Sequence, residues 1–363
     1  MPVTQVRGLK HQQPIQIVAH IRSPRPAMYR TRSWLRHGGL VHQLPSAFEP
    51  VSCDPVVTVL VVSDYRGGDA KAWEDMRLSL AGLADQEYDG DVEVLLVENR
   101  DCLPDLPDDL PHLLPGLRLV SGEANASYEL KNTAVREARS DLIMVLDADN
   151  VPVRSWISAG VAAMGRHPEA AAISGRTTYP GRTKVERVLG LLSRSYTDIG
   201  HEGRIELVAT NNMIARRDAL LATPFPEGLG PFAYRLLTET WRRQGTPLFF
   251  CPGMRVVHDF EGWSMERDVR RGVGWTEIRI RQLDERIRGA WVVRRFGVLA
   301  IPPLVLYRVV DRLVRALPLL HPFELRRRDV PLVILLALVV HALEIPGMVR
   351  ALRGLDAGPS VYR

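Results

Sequence analysis

The sequence predicts an α/β fold with a mainly parallel central sheet, and three observations carry that expectation. Compact apolar runs recur between residues 56 and 146 and are separated by amphipathic stretches of helical period. The runs are apolar at consecutive positions, as in strands covered on both faces. Their spacing leaves room for a helical crossover between successive parallel strands.

Each element follows in order. Val56 to Val62 reads as a buried strand, and Arg66-Gly67-Gly68 as the turn that ends it. Asp69 then suits the cap of a helix whose apolar positions Trp73, Met76, Leu80 and Leu83 share one face. Val92 to Val97 is a second strand, Leu117 to Val120 a short third, and Leu130, Ala134, Val135 and Ala138 mark the next helix. Leu142 to Leu146 is the most apolar strand of this half. After Pro168 the pattern is weaker, with strands expected at Ala170 to Ser174 and Ile205 to Ala209 and helices at Arg217 to Leu221 and Arg235 to Gln244, the last stopped by Gly245. Leu248 to Cys251 and Met254 to His258 read as two closing strands.

Composition excludes several classes. With 363 residues, 46% of them hydrophobic and 25% charged, the chain is long enough for a large core and is not disordered. Cys53, Cys102 and Cys251 are odd in number and far apart, so neither a disulfide framework nor a Cys-x-x-Cys site is expected, which fits a reducing compartment. Apart from Lys10, Lys71, Lys131 and Lys184, the 47 basic residues are arginine, a residue suited to bidentate phosphate and carboxylate contacts. No nucleic-acid-binding signature accompanies the formal charge of +5.

The ends of the chain differ from its middle. Residues 1–50 form a basic extension, in which Arg7, Lys10, Arg22, Arg25, Arg30, Arg32 and Arg36 face a lone acid, Glu49, without the apolar core of a secretory signal. Residues 51–262 hold the α/β pattern, 263–290 an Arg-rich helical segment, and 291–363 two apolar runs, Gly297 to Tyr307 and Val330 to Val340. Each run is shorter than the roughly 20 residues of a membrane span. The second reaches that length only by including His341, Glu344 and Pro346. These are expected to be C-terminal hydrophobic helices in contact with membrane lipids, interfacial or inserted, with Arg326-Arg327-Arg328 beside anionic headgroups.

The chemistry begins at Leu146-Asp147-Ala148-Asp149-Asn150, directly after the buried strand. Two carboxylates at the carboxyl edge of a parallel sheet lie where such folds bind ligands, and hard oxygen donors suit Mg²⁺ or Mn²⁺ bridging a diphosphate. Gly228-Leu229-Gly230-Pro231-Phe232-Ala233 matches a dinucleotide fingerprint only formally, since it follows no strand and Pro231 lacks the needed N–H. A P-loop and a Gly-x-Ser-x-Gly elbow are both missing.

Over residues 55 to 262 the chain resembles the family-2 glycosyltransferases of the GT-A fold. The resemblance rests on Val61-Val62-Ser63-Asp64-Tyr65-Arg66, on Val97-Glu98-Asn99 with Glu in place of the usual Asp, on Lys131-Asn132, on the Asp-x-Asp motif, and on Val256-Val257-His258. It implies a nucleotide-diphosphate-sugar donor bound by Tyr65, Glu98, Lys131 and Asp147, and a Mn²⁺ or Mg²⁺ held by Asp147, Asp149 and His258. The family's acidic pair, expected before the Gly that ends the helix, is replaced here by Phe232-Ala233-Tyr234-Arg235. Glu239 is the nearest acid on the helix and the expected catalytic base, with Glu227 in the preceding loop as the other candidate. The processive Gln-x-x-Arg-Trp signature is absent, which implies single addition of a sugar, with inversion. The expected acceptor is a glycan or lipid-linked molecule of the cell envelope, met at the cytoplasmic face of the membrane. The other reading is a membrane-bound sugar-nucleotide-binding or scaffold protein that keeps the fold without turnover.

Overall fold

A computed structural model describes residues 56–63, 70–258 and 260–360. The basic extension at residues 1–50, the turn after the first strand and Tyr65 lie outside the described residues.

The first half of the sheet is a parallel α/β layer. Strand β1 (Val57–Val62) is followed by helix α1 (Ala70–Ala84), β2 (Val92–Asn99), β3 (Arg118–Gly122), α2 (Ser127–Glu137) and β4 (Leu142–Asp147). Strand β1 lies between β2 and β4 and is parallel to both, with Val62 paired to Val97 on one side and Asp147 on the other. Every residue of β1 is buried, because α1 covers one face through Trp73, Met76 and Leu80 and α2 the other through Tyr128, Leu130 and Ala134. The register brings the ends of β2 and β4 to one edge, where Glu98 and Asp147 flank the exit of β1.

The second half is mixed. Strand β5 (Asn150–Pro152), helix α3 (Trp156–Arg166), β6 (Ala172–Thr178), α4 (Lys184–Arg194), β7 (Gly203–Arg204), β8 (Asn212–Arg216), α5 (Arg217–Ala222), α6 (Tyr234–Arg243) and β9 (Leu248–His258) complete a nine-stranded sheet. Its order is β3-β2-β1-β4-β8-β6-β9-β5, with β7 on β9. Strand β8 runs antiparallel to both β4 and β6. The expected strand at Ile205 to Ala209 is irregular backbone, and the sheet position belongs to β8, whose Asn212 makes it look polar. That side chain is buried and saturated: Nδ2 donates to the carbonyls of Arg176 and Met254, and Oδ1 accepts from the Trp156 indole. The two expected closing strands are one, β9, which passes through Pro252-Gly253 while its pairing with β6 shifts register between Gly175 and Arg176.

The C-terminal third packs directly on this layer. Helix α7 (Trp263–Leu283) is followed by α8 (Ala290–Phe296), α9 (Ile301–Ala316), α10 (Val330–Ala342) and α11 (Ile345–Leu352). The first apolar run therefore divides, and Pro302 and Pro303 start α9, where a missing N–H costs nothing. Two glycines set the closest approach: a Cβ on Gly274 of α7 would collide with the backbone carbonyl of Glu344, and one on Gly347 of α11 with that of Arg271. Within the Arg-rich segment Arg270, Glu277 and Arg281 are turned inward and buried, whereas Arg267, Arg286 and Arg288 are exposed. Glu277 lies 2.6 Å from Arg308 and 3.5 Å from Arg235 and also meets Arg281, while Glu344 accepts from Arg308 at 2.7 and 3.0 Å. Burial alone would raise the Glu277 pKa, yet Arg308, Arg235 and Arg281 together hold it well below the usual carboxylate range.

Helix α9 is inverted relative to an ordinary surface helix. Arg308 and Arg312 are on its buried side, whereas Leu306, Val310 and Val314 are 62%, 51% and 67% exposed. Residues 327–352 are, among those described, the one helical stretch long and apolar enough to cross a membrane, and 44% of its most apolar window is buried within the protein. Its Glu344 is turned wholly inward onto Arg308.

Candidate active site

The Asp-x-Asp turn is built from the sheet outwards. Asp147 ends β4 at the carboxyl edge, the Ala148 N–H donates to the Val62 carbonyl at 3.0 Å, and the Ser79 hydroxyl of α1 donates to the carbonyls of Ala148 and Asn150 at 2.7 and 2.6 Å. Strand β5 then pairs antiparallel with β9, with Asn150 opposite His258. This pairing brings together Asp149 and His258, 109 positions apart in the sequence, a distance local pattern cannot bridge: Nε2 of His258 lies 3.0 Å from Oδ2 of Asp149.

The two aspartates have different partners. Asp147 Oδ1 meets Lys131 Nζ at 2.6 Å, with the lysine side chain fully buried on α2 and its ammonium 5.4 Å from the Tyr128 ring centre. Asp149 accepts from the Asn150 amide at 2.6 Å and faces His258, with Arg194 and Lys131 adding positive charge nearby. Burial opposes its ionised form, but those charges prevail and lower its pKa. Burial likewise opposes the imidazolium of His258, and the charge of Asp149 and then Tyr179, with the hydrogen bond that His258 donates to Asp149, carry its pKa up to about 10.

Asp147, Asp149 and His258 line one cavity of about 170 Å³ with Tyr179, Arg194 and Arg312. Asp149 and His258 form an ion pair at 3.0 Å, and a divalent cation taking the place of the shared proton would meet a carboxylate oxygen and a neutral imidazole nitrogen. A carboxylate oxygen and an imidazole nitrogen are suitable donors for Mn²⁺. Among the described residues no set of three His, Cys, Asp or Glu side chains closes around a metal position. The donor set thus fits a cation held by two side chains and completed by substrate phosphates, a common arrangement for Mg²⁺.

The other expected site residues fall elsewhere. Glu98 is buried at the end of β2, where Oε1 accepts from the Asn99 N–H at 2.6 Å, and it does not line the cavity. Glu239 is also outside the cavity lining: on α6 it accepts from Arg242 at 2.7 and 2.8 Å and from Arg243 at 3.0 Å, and the Arg242 hydrogen bond leads the causes that lower its pKa. A carboxylate so engaged is a weaker base, and its place on α6 is apart from the residues that line the cavity. Glu227 accepts from Asn132 at 3.0 Å, and Asn132 exchanges two hydrogen bonds with the Phe225 backbone, an arrangement that anchors the loop.

Sequence reading missed α4 and with it Arg194, which donates to the Tyr179 hydroxyl at 2.8 Å and to Asn211 at 3.0 Å beside Asp149. A signal was present, because Thr183-Lys184-Val185-Glu186 ahead of Val188 and Leu189 is a capping box, formed as such in the structure. It also missed Glu261 and Glu266, which line the cavity, and Glu266 accepts from Arg270 at 2.6 Å.

Residues 70–221 match the glycosyl transferase family 2 model. Glycosyltransferase AglE of Haloferax volcanii is 24% identical over 201 residues, which are 52% of this chain and 62% of that protein, so the match spans less than two thirds of the relative. Among solved structures, the mannosyltransferase PcManGT of Pyrobaculum calidifontis, in complex with GDP-Man and Mn²⁺, superposes with a TM-score of 0.53 at 17% identity, covering 83% of this chain and 88% of that one. The likeness is one of fold.

Proposed function

We propose that this chain, which matches the glycosyl transferase family 2 model over residues 70–221 and has the GT-A fold, transfers a single sugar, with inversion, from a nucleoside-diphosphate donor to an acceptor hydroxyl. The observation that carries this reading is the Asp149–His258 pair in a cavity that also holds Asp147. A divalent cation, Mn²⁺ or Mg²⁺, bound by Asp149 and His258 supplies neutralisation of the charge that builds on the departing diphosphate. Lys131 fixes the Asp147 carboxylate at the sheet edge for the donor ribose, and Arg194 adds a positive charge beside Asp149. Glu98 holds the end of β2 for the nucleotide base.

The base role moves to Glu261. It is a carboxylate of the cavity lining three residues beyond His258, whereas Glu239 does not line the cavity. Its task is to accept the proton of the acceptor hydroxyl as the oxygen attacks the anomeric carbon.

The outward apolar side of α9, with Ile334, Leu335 and Leu338 of α10, supports an interfacial seat on a membrane, because apolar side chains outside and arginines inside suit a medium less polar than water. We place that seat at the cytoplasmic face, where nucleotide sugars are made, and take the acceptor to be a lipid-linked or envelope glycan. Purified full chain with Mn²⁺ and a panel of sugar nucleotides, with and without membrane extract, tests the proposal by release of nucleoside diphosphate. The missing acidic pair favours the second reading, a sugar-nucleotide-binding protein without turnover, and binding with no release under any of these conditions would establish it.

A further inference from the structure

Arg312 has no part in that mechanism. Arg312 projects from the buried side of α9 into the cavity lining, is more than nine-tenths buried, and stacks its guanidinium 5.6 Å from the centre of the Tyr196 ring. The other arginines of the lining have their hydrogen bonds answered: Arg194 by Tyr179 and Asn211, and Arg270 by Glu266 at 2.6 Å and Ser193 at 3.1 Å. Arg312 has no ion pair among the described residues, and its Nη1 has no hydrogen-bond partner. Burial first, and then Arg308 and Arg270, depress its pKa against the opposing pull of Tyr234 and Glu344.

A buried guanidinium without a counter-charge is unfavourable unless an anion completes it. Its planar fork matches two oxygens of a phosphate. We propose that Arg312 binds a phosphate group of a substrate in this cavity. The inference rests on the glycosyltransferase reading for what the substrate is, though not for the anion site itself. Two substrates bring phosphate, the donor through its diphosphate and a lipid-linked acceptor through its head group. The position of Arg312 on the helix with the outward apolar side favours the acceptor.

The test begins with thermal melting of the full chain in millimolar inorganic phosphate against chloride at equal ionic strength. Phosphate should raise the melting temperature of the wild type by a few degrees and leave Arg312→Gln unmoved, while Arg312→Gln in chloride should melt no lower than wild type because an unanswered buried charge is gone. Arg312→Lys, which keeps the charge and loses the fork, should show a reduced phosphate shift. An equal shift in wild type and Arg312→Gln overturns the proposal. Calorimetry then separates the sources, with ADP, CDP, GDP, UDP and dTDP plus Mn²⁺ as donor probes and citronellyl phosphate, against citronellol, as the acceptor probe. A tenfold or greater loss of citronellyl phosphate affinity in Arg312→Gln, with nucleotide affinity within twofold, assigns the acceptor phosphate; the converse assigns the donor diphosphate. Wild type that binds none of the nucleotides but still shows the phosphate shift refutes the glycosyltransferase reading and leaves the anion site standing.

Discussion

The ammonium of Lys131 lies 2.6 Å from the Asp147 carboxylate, with the lysine side chain fully buried and the aspartate nearly so. Removing one member of such a pair strands the other in a poorly solvated place. Lys131→Met should therefore destabilise the fold by about 3–5 kcal/mol, read from urea unfolding, and weaken nucleotide binding in the same protein. Asp147→Asn, which keeps the shape, should cost less.

A cation site of two side chains predicts an order of effects. Asp149→Ala should abolish the Mn²⁺ dependence of nucleoside-diphosphate binding with the fold intact, because the residue ends a turn and not a core strand. His258→Ala should weaken that dependence and leave it measurable, since a carboxylate and the phosphates still hold the ion. Calorimetry with and without chelator distinguishes the two, and equal affinities in all three proteins would remove the cation from this place.

Glu261→Gln should lower kcat by about 10² or more with donor affinity unchanged, the size expected for loss of general-base assistance. Glu239→Gln should turn over close to wild type. The reverse result would return the base to α6.

The carboxylate of Glu277 predicts a pH dependence. Its folded pKa lies well below the ordinary 4.5, so the stabilisation it gives is fully present above that value and is lost as pH falls through the folded one. Wild type should hold its urea midpoint from pH 7 to about 5 on this account. Glu277→Gln should lose about 3–5 kcal/mol at pH 7, because Arg308, Arg235 and Arg281 are then left without it. The same network bears on truncation: a chain ending near Gly289 lacks Arg308 and Glu344 and should unfold or aggregate instead of yielding a soluble catalytic core.

Membrane seating is checked by flotation with anionic vesicles. Full chain should float and stay bound in high salt, since apolar burial is not screened as headgroup attraction is. Leu306→Ser, Val310→Ser and Val314→Ser combined should release it while leaving the melting temperature near wild type, as all three side chains face outward.

The parallel half of the sheet was legible because β1, β2 and β4 are apolar runs whose character comes from helices on both faces. The Asp-x-Asp turn and His258 were legible for a related reason, each ending a recognisable strand. Strand β8 was hidden because its Asn212 saturates its polar groups against β6, β9 and Trp156, contacts that exist only after folding. Glu239 looked suitable as a base because its flanking Arg242 and Arg243 take their geometry from the helix turn, where they close on the carboxylate. Arg312 and Arg315 are indistinguishable by local pattern, and only the packing of α9 sends one inward and leaves the other near Asp311 and Glu206.

The inverted helix α9 also acts as a measuring rod. A helix with its side chains is about 10–12 Å across, and Arg312 is on the buried side of α9 while Leu306, Val310 and Val314 are on its exposed side. For an amphiphilic acceptor seated against that ridge, the distance from tail to phosphate becomes the selected quantity, with both ends gauged by a single rigid element that Arg308 and Glu344 hold in place. Molecules with the same head group and a longer polar spacer would overshoot the cavity, and those with none would stop short of it. Discrimination among acceptors would then be a matter of length before it is a matter of sugar chemistry.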